Sequence, residues 1–384
     1  MKIAFLSNYM NHHQLGLCDK LCELVGADNF YFVQEEALTK EKMVLGYGDD
    51  FYKTRKYILL LNKSNTDLVK QVILESDIII NSFSQGLNLL DEAMKKKKVI
   101  FWYSERLYKD YSFIKTIAKY LRALMFFKKY ENENQYQLLA SFYGYDDIMK
   151  TAPKLFSNHC FLFGYFPVSN SSKVLKKAIC SSKFSFLFVG RLIKWKHPET
   201  VFEVAQFMER VGIEYSIDIV GSGPLEKKLA LKIEKQYKDR IHMLGPTRFD
   251  KMKSLYLQHD FFIFPSDRRE GWGATLNEAM SYGCIPLANK SAGSAMVLIK
   301  DGINGYLYKK RIEEALVKMV ADSSLKKLSE FSETASKTIV EGWNYNLAGN
   351  RLYQIFSNVL NKKDCCLYAS GTLMSQYNTK KGKK

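Results

Sequence analysis

The stretch DFFIFPSDRREGWGATLNEAM, residues 260–280, places three local patterns in a fixed order. An apolar run typical of a buried strand ends at Pro265, a loop with Gly271 and Gly273 follows, and apolar spacing typical of a helix starts near Ala274. A buried strand, a short loop and a helix form the repeating unit of a parallel sheet covered by helices. The stretch therefore predicts an α/β fold.

Apolar runs alternate with helical spacing in both directions from this stretch. The strand-like runs of the second half include FSFLFVG, YSIDIVG, IHMLG, IPLANK and GYLY, and those of the first half include KIAFLS, FYFVQ, SDIIINS and KVIFWYS. We therefore predict two doubly wound, Rossmann-like domains that face each other across a cleft. Ligands of such sheets bind outside the carboxyl ends of the strands.

The alternation is interrupted once, by the Ser- and Lys-rich segment SNSSKVLKKAICSSK. We predict an N-terminal domain at residues 1–168, a linker at 169–183 and a C-terminal domain at 184–344. A last helix at 345–360 is expected to pack back toward the N-terminal domain. Residues 361–384 are polar and Lys-rich, which predicts a loose basic tail.

The composition narrows the class of protein. The chain has 384 residues, 47% of them hydrophobic and 25% charged, which is typical of two globular domains. Seven cysteines without zinc-ligand spacing predict reduced thiols in the cytoplasm. No apolar run approaches the ~20 residues that span a bilayer. The net charge of +17 favours anionic partners: a membrane surface, nucleic acid or phosphate-bearing ligands.

Two cations follow the strand FSFLFVG directly. Arg191 comes after Gly190, and Lys196 stands five residues further on. At the carboxyl end of one strand both can reach a single anion, and an arginine fork with a lysine charge suits a diphosphate. The alternative is a pair of solvated surface cations.

A glycine turn follows the next strand, in DIVGSGPLEKKL. Gly221 and Gly223 predict a tight turn with close backbone approach to a ligand at a helix N-terminus. Glu226 stands where a dinucleotide fingerprint requires a third glycine, which argues against a nicotinamide enzyme.

The opening stretch combines backbone amides with two carboxylates. The N–H groups of Gly273, Ala274 and Thr275 are expected at a helix N-terminus, where a phosphate fits. One turn further on, Glu278 can accept two hydrogen bonds from the hydroxyls of a ribose, and Glu270 can accept those of a second sugar. Sugar, diphosphate and ribose in a row make a nucleotide sugar. A capping loop with exposed acids is the alternative.

The second half, over roughly residues 184–308, resembles the retaining glycosyltransferases of family 4, the group 1 enzymes of the GT-B fold. The resemblance rests on Pro265 and Ser266 before the two glutamates with glycines between them, on the Arg–Lys pair, on the G-x-G-P turn and on DGINGYLY at 301–308. It implies catalytic roles for Arg191, Lys196 and Glu270. It implies donor-binding roles for Gly190, Gly221, Gly223, Ser266, Gly271, Trp272, Gly273, Ala274, Thr275 and Glu278.

The first half departs from that family's usual glycine-rich loop. The loop SNYMNHHQLG has Asn11, His12 and His13 instead, and YSER places Glu105 and Arg106 after another strand. This combination resembles a bacterial branch associated with capsule, exopolysaccharide or O-antigen assembly. We consider these five residues candidates for contacts with the acceptor or a phosphate, and a cap or surface role for the histidines stays open.

The resemblance implies retaining transfer from a nucleotide-diphosphate donor, with a UDP-sugar as the first donor to consider. No fixed nucleophile is evident, and the main catalytic task is to stabilise the departing diphosphate. We expect no cofactor and no metal. In agreement, the chain has no Asp-x-Asp motif of the kind that holds Mg²⁺ on phosphates in the other main glycosyltransferase fold.

The segment YSFIKTIAKYLRALMFFKKY, residues 111–130, has five Lys/Arg and no acid. Its apolar residues recur at helical spacing, which predicts a basic amphipathic helix. Such a helix suits the anionic membrane surface where lipid-linked acceptors of polysaccharide assembly reside. We therefore expect a cytoplasmic protein, peripheral on the plasma membrane. An ordinary packed helix with a solvated basic face is the alternative.

Other functions stay open at this point. A sugar-nucleotide epimerase or a phosphorylase would use the same fold. A nucleic-acid-binding protein fits the charge, but the basic residues are spread over both halves and form no recognised binding motif, so we expect no nucleic-acid partner. Donor base, acceptor and oligomeric state are not readable from the sequence.

Overall fold

The computed structural model describes residues 1–40, 43, 54–82, 87–109, 112–167, 183–365 and 368–373. The chain divides into two compact units, one made of residues 1–168 and 343–384 and the other of residues 169–342. Each unit contains one parallel sheet with helices between its strands, which confirms the predicted α/β class. Most of the predicted linker, residues 169–182, lies outside the described residues, and Lys183 begins a strand.

The first unit has a seven-stranded sheet in the order β3-β2-β1-β4-β5-β6-β7, with all neighbours parallel. Its central strands are buried along their whole length, which explains their continuous apolar sequence. The strands are β1 (Ile3–Ser7), β2 (Phe30–Gln34), β3 (Ile58–Leu60), β4 (Ile78–Asn81), β5 (Val99–Ser104), β6 (Gln135–Leu139) and β7 (Cys160–Leu162). The described helices between them are α1 (His12–Val25), α2 (Thr66–Glu75), α3 (Leu87–Lys95), α4 (Phe113–Lys129), α5 (Gly144–Thr151) and α6 (Pro153–Phe156).

The second unit has a six-stranded parallel sheet in the order β10-β9-β8-β11-β12-β13. Its strands are β8 (Lys183–Val189), β9 (Glu214–Val220), β10 (Ile241–Gly245), β11 (Phe261–Phe264), β12 (Ile285–Asn289) and β13 (Tyr306–Tyr308). Its helices are α7 (Thr200–Val211), α8 (Glu226–Gln236), α9 (Phe249–Gln258), α10 (Ala274–Ser281), α11 (Ala295–Leu298), α12 (Glu313–Ala321) and α13 (Leu325–Gly342). The strand order reverses between β8 and β11, so the loops after these two strands flank the position where such sheets bind ligands.

The last helix, α14 (Tyr345–Leu360), belongs to the first unit and packs against α1. Two glycines allow this close contact. A Cβ on Gly16 would lie 2.7 Å from Cγ of Tyr345, and one on Gly349 would lie 2.6 Å from Cγ of Lys20. Aromatic packing of Phe356 on Phe101, with 4.7 Å between ring centroids, anchors the same helix on the sheet.

The tail is not loose along its whole length, contrary to the sequence-based expectation. Residues 368–373 return to the first unit, where Leu373 is fully buried and its N–H donates to the carbonyl oxygen of Leu162 at 2.7 Å. Arg351 of α14 donates to the carbonyl oxygens of Ser370 and Thr372, both at 2.7 Å. These backbone contacts fix the segment, and residues 374–384 lie outside the described residues.

Within the described part of the chain, none of the helices combines the length and apolar character needed to cross a bilayer.

Candidate active site

The loops after β8 and β11 form one continuous surface in the second unit. The first loop ends in a short 3₁₀ turn, Lys194–Lys196, and the second covers residues 265–273 before α10. The two are joined by a backbone hydrogen bond of 3.0 Å from the N–H of Asp267 to the carbonyl oxygen of Trp195. Residues that are about 70 positions apart in the sequence therefore meet at the carboxyl edge of the sheet.

The clearest contact on this surface is an ion pair between Lys196 and Glu270. Their side chains are only 13% and 9% exposed. Because both side chains are poorly solvated, removing either partner would leave the other charge buried and uncompensated. The structure thus brings together two residues for which the sequence predicted separate tasks. The ammonium of Lys196 has three donors, so it can serve Glu270 and an incoming anion at once.

Trp195 organises the two predicted cations, and sequence reasoning missed it. The guanidinium of Arg191 lies 5.7 Å from the centroid of the Trp195 ring, and Nζ of Lys196 lies 5.0 Å from it. Both distances are typical of cation–π contacts. Arg191 itself is exposed. The signal was present as a tryptophan between two lysines, in IKWKH.

The N-terminus of α10 lacks a side-chain cap. Gly273 occupies the cap position with φ of 86°, and a Cβ there would lie 2.3 Å from Cζ of Phe264, so only glycine fits. The amides of Ala274 and Thr275 therefore begin the helix without a capping side chain, as an anion site requires. Two buried hydroxyl oxygens, of Thr275 and Ser294, have no hydrogen-bond partner among the described residues. Buried polar atoms of this kind are rare and call for a ligand or water.

Glu278 is oriented by a buried tyrosine that sequence reasoning also missed. The hydroxyl of Tyr256, on α9, donates to Oε2 of Glu278 at 2.7 Å. Tyr256 is 1% exposed and its ring stacks on Tyr282 with 5.8 Å between centroids. Burial raises the pKa of Tyr256 well above its usual range, so its hydroxyl keeps the proton and remains a donor. Nothing in the sequence signals this pair, because the residues lie on different helices.

Several predicted donor-binding residues have structural tasks. The indole of Trp272 is fully buried and its Nε1 donates to Oδ1 of Asn277 at 2.7 Å, so its side chain is part of the core and does not face a ligand. Ser266 is 1% exposed, and Gly271 is buried beside Trp272.

The glycine turn after β9 is required by a neighbouring loop. A Cβ on Gly221 would lie 2.0 Å from the carbonyl oxygen of Gly190, and one on Gly223 would lie 2.6 Å from that of Leu192. The N–H of Gly190 in turn donates to the carbonyl oxygen of Val220 at 3.0 Å. These two glycines therefore allow the loop after β8 to approach closely, and their approach to a ligand stays a prediction.

In the first unit, Asn11 caps α1. Its Oδ1 accepts from the N–H groups of His13 at 3.0 Å and Gln14 at 3.2 Å. The rings of His12 and His13 contact each other with 3.6 Å between centroids. Burial, and then the charge of His12, lower the pKa of His13 well below its usual range. A neutral imidazole is expected at pH 7, which makes His13 a hydrogen-bonding group and not a cation for a phosphate.

Glu105 and Arg106 both have partners in the first unit. Glu105 forms an ion pair with Lys109 and accepts from the hydroxyl of Tyr165 at 2.9 Å. Arg106 forms a nearly buried ion pair with Asp147, with 3.2 Å between Nη2 and Oδ1. These contacts hold the two side chains at the edge of the sheet, and each charge is balanced by an opposite charge beside it.

A pocket of about 1040 Å³ lies beside these residues, entirely within the first unit. We call it the N-terminal pocket. It is lined by the carboxyl ends of β1, β4 and β5 and by one side of α4, and Asn11, His13, Glu105 and Arg106 all belong to its wall. His12 is not among its lining residues. Four of the five predicted acceptor or phosphate candidates thus share one cavity.

The helix predicted from residues 111–130 is α4, and none of its residues is fully buried. Its outer face exposes Phe113, Ile114, Ile117, Leu121, Leu124 and Met125, which are 38–80% exposed. Its opposite face lies over the N-terminal pocket, where the rings of Phe126 and Trp102 are 5.4 Å apart. An amphipathic helix of a globular protein normally turns its apolar stripe to the core, so this orientation is unusual.

Comparisons with known proteins agree with this architecture. Residues 170–338 match the model of the family described as glycosyl transferases group 1. An uncharacterized glycosyltransferase of Methanocaldococcus jannaschii is 26% identical over 185 residues, which cover 47% of this chain and 46% of that protein. The poly(glycerol-phosphate) alpha-glucosyltransferase of Bacillus subtilis is 25% identical over 203 residues, or 48% of this chain and 29% of that protein. The matched stretches thus span less than half the length of these curated relatives.

Among solved structures, Anabaena HepE, crystallised with UDP and glucose, superposes with a TM-score of 0.69 at 16% identity. The match covers 93% of this chain and all of that one. At this identity the likeness shows the fold alone, which is GT-B. The matched sequence, the two parallel sheets and the loop surface lead to one conclusion: residues 170–338 of this chain are similar in sequence to the group 1 glycosyltransferase family, on a fold of the GT-B type.

Proposed function

We propose that the protein transfers a sugar, with retention and without a metal, from a nucleotide-diphosphate donor to a lipid-linked glycan in cell-surface polysaccharide synthesis. One observation carries the donor part. The loops after β8 and β11 hold Arg191, the Lys196–Glu270 ion pair and the uncapped N-terminus of α10 on one surface, with Glu278 one turn along that helix. Cationic and N–H groups that can bind a diphosphate alternate there with carboxylates that can accept hydrogen bonds from sugar hydroxyls, as a nucleotide sugar requires.

The charges suggest how the leaving group is stabilised. In retaining transfer the acceptor oxygen bonds to the anomeric carbon while the bond from that carbon to the diphosphate oxygen breaks on the same face. The acceptor hydroxyl gives its proton to the departing diphosphate. Arg191, Lys196 and the amides at the start of α10 supply fixed positive charge where negative charge develops. Removing one of these groups is expected to cost on the order of 3 kcal/mol in the barrier.

Relatives support the donor and acceptor classes. HepE was crystallised with UDP and glucose, which makes a UDP-sugar the first donor to test. The Bacillus subtilis relative is a poly(glycerol-phosphate) alpha-glucosyltransferase, whose name gives a phosphate-bearing polymer as its acceptor. No bound metal is needed in this proposal, because the protein's own cations face the diphosphate.

The outer face of α4 supports a membrane location for the acceptor. Its apolar residues are exposed and five Lys/Arg with no acid lie on the same helix. Helices with this combination lie in the interface of anionic bilayers. We place the protein on the cytoplasmic face of the plasma membrane for this reason.

The donor part is tested by calorimetry with UDP, GDP, ADP and CMP in EDTA. One nucleotide is expected to bind to the intact protein, and Glu278→Ala is expected to weaken it about tenfold or more, since hydrogen bonds to charged groups contribute about 1.5–3 kcal/mol. Glu333→Ala, an exposed glutamate of the same unit, is the matched control. Absence of binding, or binding only with Mg²⁺, would contradict the metal-free donor site.

The membrane part is tested by co-sedimentation with phosphatidylglycerol and phosphatidylcholine vesicles. The double variant Ile114→Ser with Met125→Ser removes two side chains that are 80% and 63% exposed, and it is expected to lose binding to the anionic vesicles. Val317→Ser on α12, 54% exposed, is the control and should bind like the intact protein.

A sugar-nucleotide epimerase or a phosphorylase of the same fold remains the second candidate. Release of free nucleoside diphosphate together with a glycosylated acceptor identifies a transferase. An epimerase would convert the donor without net transfer, and a phosphorylase would require inorganic phosphate.

A further inference from the structure

The N-terminal pocket and the outer face of α4 are two sides of the same helix. Lys119, Arg122, Ala123, Phe126 and Phe127 line the pocket, and we call them the pocket face of α4. Consecutive helical residues are turned by about 100°, so the pocket face and the outer face point in nearly opposite directions. A ligand that enters the pocket along α4 therefore passes the edge of the exposed apolar surface.

The charges that line the pocket do not cancel. Its lining includes four Lys/Arg side chains and a single carboxylate, that of Glu105. That carboxylate is engaged by Lys109 and by Tyr165, and Arg106 is engaged by Asp147. The side chain of Arg122 forms no ion pair or hydrogen bond with another described residue. The excess positive charge at the pocket favours an anionic ligand.

The rest of the wall combines aromatic rings with Ser, Asn and Gln side chains. Trp102, Tyr108, Phe126 and Phe127 line the cavity together with the ring of Tyr165. A cavity of about 1040 Å³ with such walls has room for a ligand of considerable size. Aromatic rings suit apolar chains and the faces of sugar rings, whereas a free inorganic anion would use none of them.

Arg122 belongs to the pocket face and lies at its border with the outer face of α4. It follows Leu121, which belongs to the outer face, and precedes Ala123, which belongs to the pocket face. A long side chain at such a border can lay its methylenes along apolar surface and keep its guanidinium at a phosphate.

We infer that Arg122 binds the phosphate of an amphiphilic acceptor at the N-terminal pocket. The apolar chain of that acceptor runs along the outer face of α4, and the group that follows the phosphate enters the aromatic cavity. This inference rests on the proposed function, which it deepens by naming a phosphate-bearing amphiphile as the acceptor class and Arg122 as the residue that selects it.

The test measures binding of three probes to the intact chain by calorimetry: n-octyl phosphate below its micelle concentration, n-octanol and inorganic phosphate. Octyl phosphate is expected to bind at least about tenfold more tightly than either other probe, because it alone offers both the anion and the apolar chain. Arg122→Gln should lower its affinity about tenfold or more and leave octanol unchanged.

Two further variants locate the site. Lys128→Gln removes the same charge from α4 at an exposed position that is not part of the pocket wall, and it should bind octyl phosphate within about twofold of the intact chain. Ala123→Phe fills the cavity from the pocket face, and it should abolish octyl phosphate binding while the thermal unfolding midpoint stays within a few degrees.

Equal affinity of Arg122→Gln and the intact chain for octyl phosphate would overturn the inference. If, in addition, Arg122→Gln lowers binding to phosphatidylglycerol vesicles more than Lys128→Gln does, Arg122 contacts bulk lipid headgroups instead of an acceptor in the pocket. Nucleotide binding is measured on the same samples. Its loss alone would refute the proposed donor site and leave the result at the N-terminal pocket standing.

Discussion

The hydroxyl of Tyr256 donates to Oε2 of Glu278 at 2.7 Å, and this hydrogen bond joins α9 to α10 in the interior of the second unit. The carboxylate proposed to bind a ribose is therefore held in one orientation by a side chain that cannot itself reach solvent. A carboxylate that is fixed before the ligand arrives loses less conformational freedom on binding.

We predict that Tyr256→Phe weakens nucleotide binding by roughly 2- to 10-fold, the range expected for one hydrogen bond. The phenyl ring keeps the stacking on Tyr282, so the fold is preserved. Calorimetry with UDP and with 2′-deoxy-UDP checks the mechanism. If Tyr256 positions the carboxylate of Glu278 for the ribose hydroxyls, the variant also loses part of the preference for UDP over the deoxynucleotide. An unchanged preference would mean that the tyrosine serves only the packing of α9.

We predict strong energetic coupling between Lys196 and Glu270. Lys196→Met leaves the carboxylate of Glu270 buried without its cation, and Glu270→Gln leaves the ammonium of Lys196 buried without its anion. Each variant should destabilise the second unit by about 3 kcal/mol. The double variant should be less destabilised than the sum by on the order of 1–3 kcal/mol. Urea denaturation of the four proteins gives the coupling.

The surface pair Arg210–Glu313 is the matched control, since Arg210 is 60% exposed there. Its cycle is expected to give less than about 1 kcal/mol. Coupling free energies of equal size in both cycles would contradict the expectation that burial strengthens the Lys196–Glu270 interaction.

The sequence predicted the fold well because each of its signals is local. Buried parallel strands are continuous apolar runs, and glycine loops mark where they end, so β8 and β11 and the loops after them could be read directly from the chain. The predicted positions of Arg191, Glu270 and Glu278 at the carboxyl edge follow from the same reasoning.

Relations across the chain could not be predicted in this way. Lys196 and Glu270 meet through strand order and loop length, neither of which is encoded near either residue. The same holds for Tyr256 and Glu278, and for Leu373 docking on Leu162. The neighbours of Trp272 face the loop surface, whereas its own side chain points into the core, which local sequence patterns do not show. Helical spacing predicted α4 but left open whether its apolar stripe faces the core or points outward.

We predict that Gly221→Ala is far more destabilising than Gly212→Ala. Both glycines have positive φ, 136° and 70°, so both variants strain the backbone. A Cβ at Gly212 meets nothing within 4 Å, and its cost should be about 1 kcal/mol. A Cβ at Gly221 meets the carbonyl oxygen of Gly190 at 2.0 Å and must displace the loop that holds Arg191, at a cost of about 3 kcal/mol or more. Thermal unfolding compares the two, and equal midpoints would show that the loops separate freely.

The last prediction concerns Glu35, which follows β2 at the carboxyl edge of the first sheet. Its N–H donates to the carbonyl oxygen of Ser7 at 3.0 Å, and its Oε1 is buried without a hydrogen-bond partner among the described residues. Burial, and then the charge of Glu36, raise the pKa of Glu35 to about 7 from a usual value of 4.5. The folded state therefore favours the protonated acid.

The pH dependence follows from this direction. Below a pH of about 4.5 the carboxyl is protonated in both states and costs nothing. As the pH rises toward about 7 the unfolded chain ionises first, so the free energy of unfolding falls, and above that range the folded state retains a buried charge. Glu35→Gln should thus be more stable than the intact protein at about pH 8, with a difference that shrinks steadily toward about pH 5. The exposed Glu333→Gln should show no such trend. Thermal unfolding at a series of pH values decides the point, and a difference that is constant with pH would mean that Glu35 ionises alike in both states.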